Sequence, residues 1–150
     1  MPPCDTHLVP DPIPPPAAGR PAEALELAAQ ALSDGDLEAA LAQYEPGACL
    51  LTWQPAPAEG VRSALTCFMA LRLPLAVRIG TVLHSAGVAL VSCTRHTAGT
   101  GPDGEDVEYR GLGAAVVRAQ PDGTWRIAAD VWALDRGAPR AAGKIGRAHV

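Results

Sequence analysis

The sequence predicts an α+β domain in which N-terminal helices pack in a strongly curved, mostly antiparallel sheet, forming a cone with an internal pocket. Three observations lead there. Helical periodicity is confined to the first half of the chain, strand-like alternation takes over after Pro74, and Gly111 and Gly113 interrupt one of the strands. Helices first and strands last is the order of an α+β layer architecture. Glycines inside a strand mark a sharp bend or a close backbone approach. A sheet that bends sharply over helices closes into a cone, and a cone has a cavity.

The elements follow in order. Residues 1–20 carry Pro2, Pro3, Pro10, Pro12, Pro14, Pro15 and Pro16. Prolines remove backbone donors and fix φ, so this stretch is expected to be a disordered arm, with proline-rich docking as the alternative. Pro21 opens a first helix, with Leu25, Ala29 and Leu32 on one face. Ser33-Asp34-Gly35-Asp36 breaks it, and Asp34 or Asp36 caps a second helix. There Leu37, Ala40, Leu41 and Tyr44 follow i, i+3, i+4, i+7. Pro46-Gly47 ends that helix, and the apolar run from Ala48 to Trp53 reads as a strand. Val61, Ala64, Leu65 and Phe68 define a third helix that stops before Pro74. Strands are expected over 75–83, 88–97, 107–118 and 124–134, joined by short breaks of the hairpin kind. In the third of these, Tyr109, Gly111, Gly113, Ala115 and Val117 share the covered parity, and Glu108, Arg110 and Arg118 the wet one. The cone domain therefore spans 21–136. Residues 137–150 read as a flexible tail, of which the heptad 144–150 has the look of a translated sequencing-library adapter.

Charge and motifs exclude several function classes. The net charge is −4 and no basic stripe is present, which speaks against nucleic-acid binding and against anionic membrane surfaces. No apolar run reaches the roughly 20 residues that a spanning helix needs. The N-terminus lacks the basic and apolar regions of a secretory signal, so a cytoplasmic location is expected. None of Cys4, Cys49, Cys67 and Cys93 forms a C-x-x-C pair. The last three sit in apolar patterns and are expected to be buried free thiols. No metal-ligand spacing occurs, and neither a metal nor a cofactor is expected. Gly99-Thr100-Gly101-Pro102-Asp103-Gly104 fits G-x-G-x-x-G, but that fingerprint must open a helix. Here it leads into a strand and reads as a turn, beside a solvated acidic cluster of Asp103, Glu105, Asp106 and Glu108.

Two stretches carry a family resemblance. Ser33-Asp34-Gly35-Asp36-Leu37-Glu38-Ala39-Ala40-Leu41, followed by Tyr44-Glu45-Pro46-Gly47-Ala48, resembles the opening of SnoaL-like and ketosteroid-isomerase-like proteins. Residues 116–130, containing Gln120-Pro121-Asp122-Gly123-Thr124-Trp125, are similar to their closing hairpin. The resemblance covers roughly residues 21–136 and places the chain with the nuclear-transport-factor-2-like superfamily. It implies a cone-shaped pocket and frequently a homodimer packed through the sheet. It implies no single activity, because that family includes isomerases, cyclases and proteins without known chemistry.

The candidate chemistry centres on Asp130, which matches a polar position near the end of the family's last strand. By parity it shares a face with Arg126, Ala128 and Trp132. An acid in an apolar cavity has its pKa raised and can move a proton; the alternative is a carboxylate accepting local hydrogen bonds. Tyr109 brings a phenol to the covered face. Arg95, if it points inward, pairs with Asp130 or with an anionic substrate, whereas its neighbour His96 has the opposite parity. Tyr44, Trp53, Phe68 and Trp132 either line a pocket for a flat apolar ligand or pack as ordinary core. The expectation is a small apolar ligand, bound or isomerised through Asp130 with Tyr109 or Arg95 orienting it. The rival is a non-catalytic ligand-binding or dimerisation module.

Overall fold

The computed structural model describes residues 14–52 and 60–136. They form helices α1 (Pro21–Ser33), α2 (Leu37–Leu41) and α3 (Val61–Met69), and strands β1 (Tyr44–Leu51), β2 (Ala76–Ser85), β3 (Val88–Thr100), β4 (Asp106–Ala119) and β5 (Trp125–Arg136). The five strands make one curled, open sheet in the order β1-β5-β4-β3-β2. The β2–β3, β3–β4 and β4–β5 pairs are antiparallel and β1 runs parallel to β5. The α+β cone expected from the sequence is the fold observed. Trp53, the first 13 residues and the whole of 137–150, adapter-like heptad included, lie outside the described residues.

Local chemistry explains the helices. Pro21 occupies the first turn of α1, where its missing N–H costs nothing. The helix buries Ala24, Leu25, Ala28 and Leu32. At its end the Ser33 hydroxyl accepts from the Leu75 N–H at 2.8 Å, pinning α1 to the approach of β2. Asp36 caps α2 by accepting from the Ala39 N–H at 3.1 Å. This helix is a single short stretch, and Tyr44 does not continue it as its spacing suggested. Five helical residues carry little stability of their own, and sheet pairing takes the chain first. The Ile127 N–H donates to the Gln43 carbonyl at 2.7 Å, and Tyr44 opens β1.

The fold also begins upstream of Pro21. Ala18 is buried and bridges Trp125, and the Gln43 side-chain amide donates to the Pro16 carbonyl at 2.7 Å. The end of the proline-rich stretch is thus tied to β5 rather than being wholly a free arm. Among the described residues no helix is long and apolar enough to cross a membrane.

The concave face of the sheet carries the core. Val91, Cys93, Arg95 and Thr97 of β3, Ala115 and Val117 of β4, and Asp130, Trp132 and Leu134 of β5 are buried under Leu25, Leu65 and Phe68. Each large apolar side chain removed from water there stabilises the fold by about 1.5–3 kcal/mol. Cys93 is buried, but Cys49 and Cys67 are exposed, correcting the expectation for those two. Cys67 lies on the solvent side of the amphipathic α3, whose buried positions are Val61, Ala64, Leu65 and Phe68.

Gly111 and Gly113 are required by close approach. A Cβ at Gly111 would collide with the Ala133 carbonyl oxygen, and one at Gly113 would lie 2.8 Å from both the Val131 carbonyl oxygen and Arg95 Nη1. The parity of β4 follows expectation, but that of β5 does not run through. Val116 pairs with Ala129 and Val117 with Ile127, so a bulge takes up Ala128. Ile127 and Asp130 are both buried as a result, and Arg126 and Ala128 do not share the face of Asp130 and Trp132.

Candidate functional site

Strands β1, β3 and β5 supply the side chains of a buried polar cluster, with β4 passing between β3 and β5. Cross-strand pairing sets Asp130 opposite Ala115, Trp132 opposite Gly113, and Arg95 opposite Gly111. The missing side chain at Gly113 leaves room for the Arg95 guanidinium to reach across β4 to β5. Arg95 Nη2 donates to both carboxylate oxygens of Asp130 at 3.1 Å, and Nη1 donates to the Val131 carbonyl at 3.2 Å. The Tyr44 hydroxyl donates to Asp130 Oδ2 at 2.8 Å, as does Trp132 Nε1 at 2.9 Å. The guanidinium carbon also lies 4.6 Å from the Trp132 ring centroid, and Phe68 meets that ring edge-on at 5.5 Å.

A carboxylate offers about four acceptor positions, and four donor contacts reach this one. Asp130 is only 2% exposed. Among the described residues no buried side-chain nitrogen or oxygen lacks a hydrogen-bond partner. Burial, and then the adjacent Asp130 charge, push the Tyr44 phenol well above its usual range, so it stays neutral and donates. Burial likewise raises the Cys93 thiol, with Arg95 opposing. The cluster therefore holds a fixed ion pair inside an aromatic frame. A general acid or base needs an open approach for its proton partner; this carboxylate is buried, with three of the donor contacts on Oδ2 and one on Oδ1.

Five of the seven residues singled out from the sequence come together here. Asp130, Arg95, Tyr44 and Trp132 form the cluster, and Phe68 packs against it as core. Tyr109 does not join them. It pairs with Arg136, six positions along β4 from the partner of Asp130, or roughly 20 Å at the rise of a strand. Instead, Tyr109 lines an open cleft of about 420 Å³ at the hairpin end of the concave face, with Leu71, Pro102, Asp103, Glu105 and Val107. The expected arrangement of Tyr109 orienting a substrate at Asp130 is thus not the one observed.

Sequence reasoning missed a second polar group on the convex face. His96 Nε2 lies 2.9 Å from Glu108 Oε2, and Arg110 pairs with the same carboxylate. The hydrogen bond from Arg110, and then that with His96, hold Glu108 below its usual range. The signal available was the alternation of Glu108 and Arg110 on the wet parity; the register that brings His96 across was not visible. Among the described residues no group of three or more His, Cys, Asp or Glu is placed to hold a metal ion.

These features define an α+β cone, the fold that solved ketosteroid isomerase-like and NTF-2-like proteins also adopt. The chain is similar to a ketosteroid isomerase-like protein from Erwinia carotovora, at 20% identity and a TM-score of 0.63 over 79% of this chain and 95% of that one. It is also similar to a conserved protein from Planctomyces limnophilus, at 15% identity and a TM-score of 0.68 over 77% and 94%. An NTF-2-like protein of unknown function from Shewanella oneidensis aligns at 18% identity and a TM-score of 0.56 over 73% and 93%. At these identities the likeness establishes the fold. No protein-family model matches the chain, and no curated protein matches it in sequence.

Proposed function

We propose that the chain is a non-catalytic, small-molecule-binding cone domain that works as a homodimer. The observation that carries this reading is the burial of Asp130 in an ion pair with two further donors. Its carboxylate is held by Arg95, Tyr44 and Trp132, so the residue best placed for proton transfer serves as the centre of a structural ion pair. The isomerase-type reading would require Arg95 and two aromatic donors to release that carboxylate inside a packed interior.

The binding role falls to the cleft lined by Tyr109. Its volume is within the range of about 300–1,000 Å³ typical of small-molecule sites, and Leu71, Pro102, Val107 and the Tyr109 ring supply apolar walls. The dimer role falls to the convex face. Leu51, Leu83, Leu90, Leu112 and Val131 are exposed, Leu112 by 71%, and pairing aligns Leu51 with Val131 and Leu83 with Leu90 on that side. An apolar surface of this kind marks an association site.

Native mass spectrometry tests both parts. The expected result is a dimer that retains a small guest, with Leu112→Asp giving monomer. Tyr109→Ala should lose the guest while Asp130→Asn keeps it in whatever fraction remains folded. A guest or a turnover abolished by Asp130→Asn but untouched by Tyr109→Ala overturns the reading.

A further inference from the structure

Backbone groups along β4 alternate between its two neighbours. The Ala119 N–H donates to the Gly87 carbonyl at 2.8 Å, and the Gly101 N–H donates to the Glu105 carbonyl at 2.7 Å. Between these two points the β3–β4 register runs without a shift, from Val88–Arg118 to Thr100–Asp106. Odd-numbered positions of β4 therefore bond toward β3, and even-numbered ones face the β5 side. On that side the pairing reaches Tyr109–Arg136, and Arg136 ends β5. Asp106 and Glu108 lie past that point. Each directs an N–H and a carbonyl at an edge that no strand of the described residues covers. The cleft lies over the same stretch, with Glu105, Val107 and Tyr109 in its wall.

The residues that follow β5 suit this edge. Continuing the register sets Gly137 opposite Glu108, Ala138 opposite Val107, Pro139 opposite Asp106 and Arg140 opposite Glu105. Gly137 brings an N–H and a carbonyl to Glu108, and Pro139 brings a carbonyl to the Asp106 N–H. The donor that proline lacks falls at the last pair, where a ladder can end. Proline also favours extended backbone in the residue before it, here Ala138. Arg140 is the one charged residue of 137–143, and it arrives at Glu105, whose carboxylate is in no ion pair with a basic group of the described residues. Ala138 and Arg140 share the parity that puts Val107 and Tyr109 at the cleft. All of these positions precede the adapter-like heptad.

We propose that residues 137–140 extend β5 along the open edge of β4 and wall the Tyr109 cleft on that side, with Arg140 against Glu105. Register and chain continuity carry this extension, whether or not a guest occupies the cleft. Backbone NMR of the full chain, recorded without any guest, tests it. Ala138 and Val107 form a non-hydrogen-bonded pair in this register, the kind that brings two Cα atoms to about 4.5 Å, so an Hα–Hα cross-peak between them is expected. The Glu108 amide should exchange at least tenfold more slowly than in Gly137→Pro, whose ring projects into the ladder and removes its donor. Arg140→Glu should speed exchange of the Asp106 amide at least threefold, and Arg140→Glu with Glu105→Arg should restore most of the protection. Coil-like carbon shifts over 137–140 without the Ala138–Val107 cross-peak, or cross-peaks in another register, overturn the extension. An Asp106 amide that exchanges equally fast in the parent and in Arg140→Glu overturns the contact between Arg140 and Glu105.

Discussion

Replacing Arg95 with methionine removes the counter-ion of Asp130 while filling most of the space. Two of the four donor contacts to the carboxylate disappear, and only Tyr44 and Trp132 remain. Because both partners of this ion pair are buried, the change strands a charge inside the fold, a loss of about 3–5 kcal/mol. At roughly 3–5 °C per kcal/mol for a domain of this size, the melting temperature should fall on the order of 10–20 °C. Asp130→Asn alone strands the guanidinium and should cost a similar amount. The double variant, Arg95→Met with Asp130→Asn, removes both charges yet keeps an acceptor for Tyr44 and Trp132. It should be more stable than Arg95→Met by about 2 kcal/mol. Urea unfolding of all four proteins at one fixed concentration measures the cycle, the fixed concentration being needed because association contributes to apparent stability. An Arg95→Met variant within about 1 kcal/mol of the parent, or a double variant as unstable as the sum of the singles, would refute the assignment of Arg95 and Asp130 as a coupled buried pair.

Other perturbations probe the same frame. Tyr44→Phe removes one donor from Asp130 and should destabilise by about 1–3 kcal/mol in urea unfolding. The raised phenol of Tyr44 makes stability depend on alkaline pH. Above the phenol's unfolded pKa the native state keeps a proton that the unfolded chain has lost, so stability falls as pH rises, by up to about 1.4 kcal/mol per pH unit. Phenolate absorbance in a Tyr109→Phe background should therefore appear together with unfolding; a reversible titration at the ordinary phenol pH in the folded protein contradicts the burial. Gly113→Ala places a Cβ 2.8 Å from the Val131 carbonyl, a backbone atom that cannot step aside, and should cost about 1–3 kcal/mol, read as a lower urea midpoint. Ala86 takes φ 45° beside Gly87 at φ 79° in the β2–β3 turn, a place suited to Asn-Gly. Ala86→Asn should raise stability by about 0.5–1 kcal/mol, and a lower melting temperature would argue against the strain.

The strand half of the fold was legible because one buried face imposes alternation. Ala115 and Val117 sit on the covered side of β4 as parity requires, and the two glycines lie where a strand passes closest to its neighbours. Legibility failed where pairing overrode local pattern. Tyr44 keeps helical spacing with Leu37 and Leu41, yet β5 captures it into β1, and no sequence rule announces a parallel partner more than 80 positions away. The bulge at Ala128 likewise reset the parity of β5, keeping Asp130 inward with Trp132 but turning Arg126 away. At the candidate site, a pair of Arg95 and Asp130 was legible only on the condition that Arg95 points inward. That Tyr44 and Trp132 would use up the rest of the carboxylate was not, because it depends on how the sheet curls. Tyr109 had the right face and the wrong neighbourhood: parity specifies a side of the sheet, not a distance along it.

The cluster around Asp130 also imposes an order on the making of this protein. Arg95 belongs to β3 and leaves the ribosome 35 residues ahead of its carboxylate, while Tyr44 waits across 86. Until β5 is complete, helices and hairpins can gather, but an arginine destined for the interior has no counter-charge and a phenol has no acceptor. Burial of that arginine without its carboxylate is unfavourable in any partial fold. The last strand is the part that licenses the interior to dry, and a chain broken off before Asp130 is marked as incomplete by its own unpaired charge.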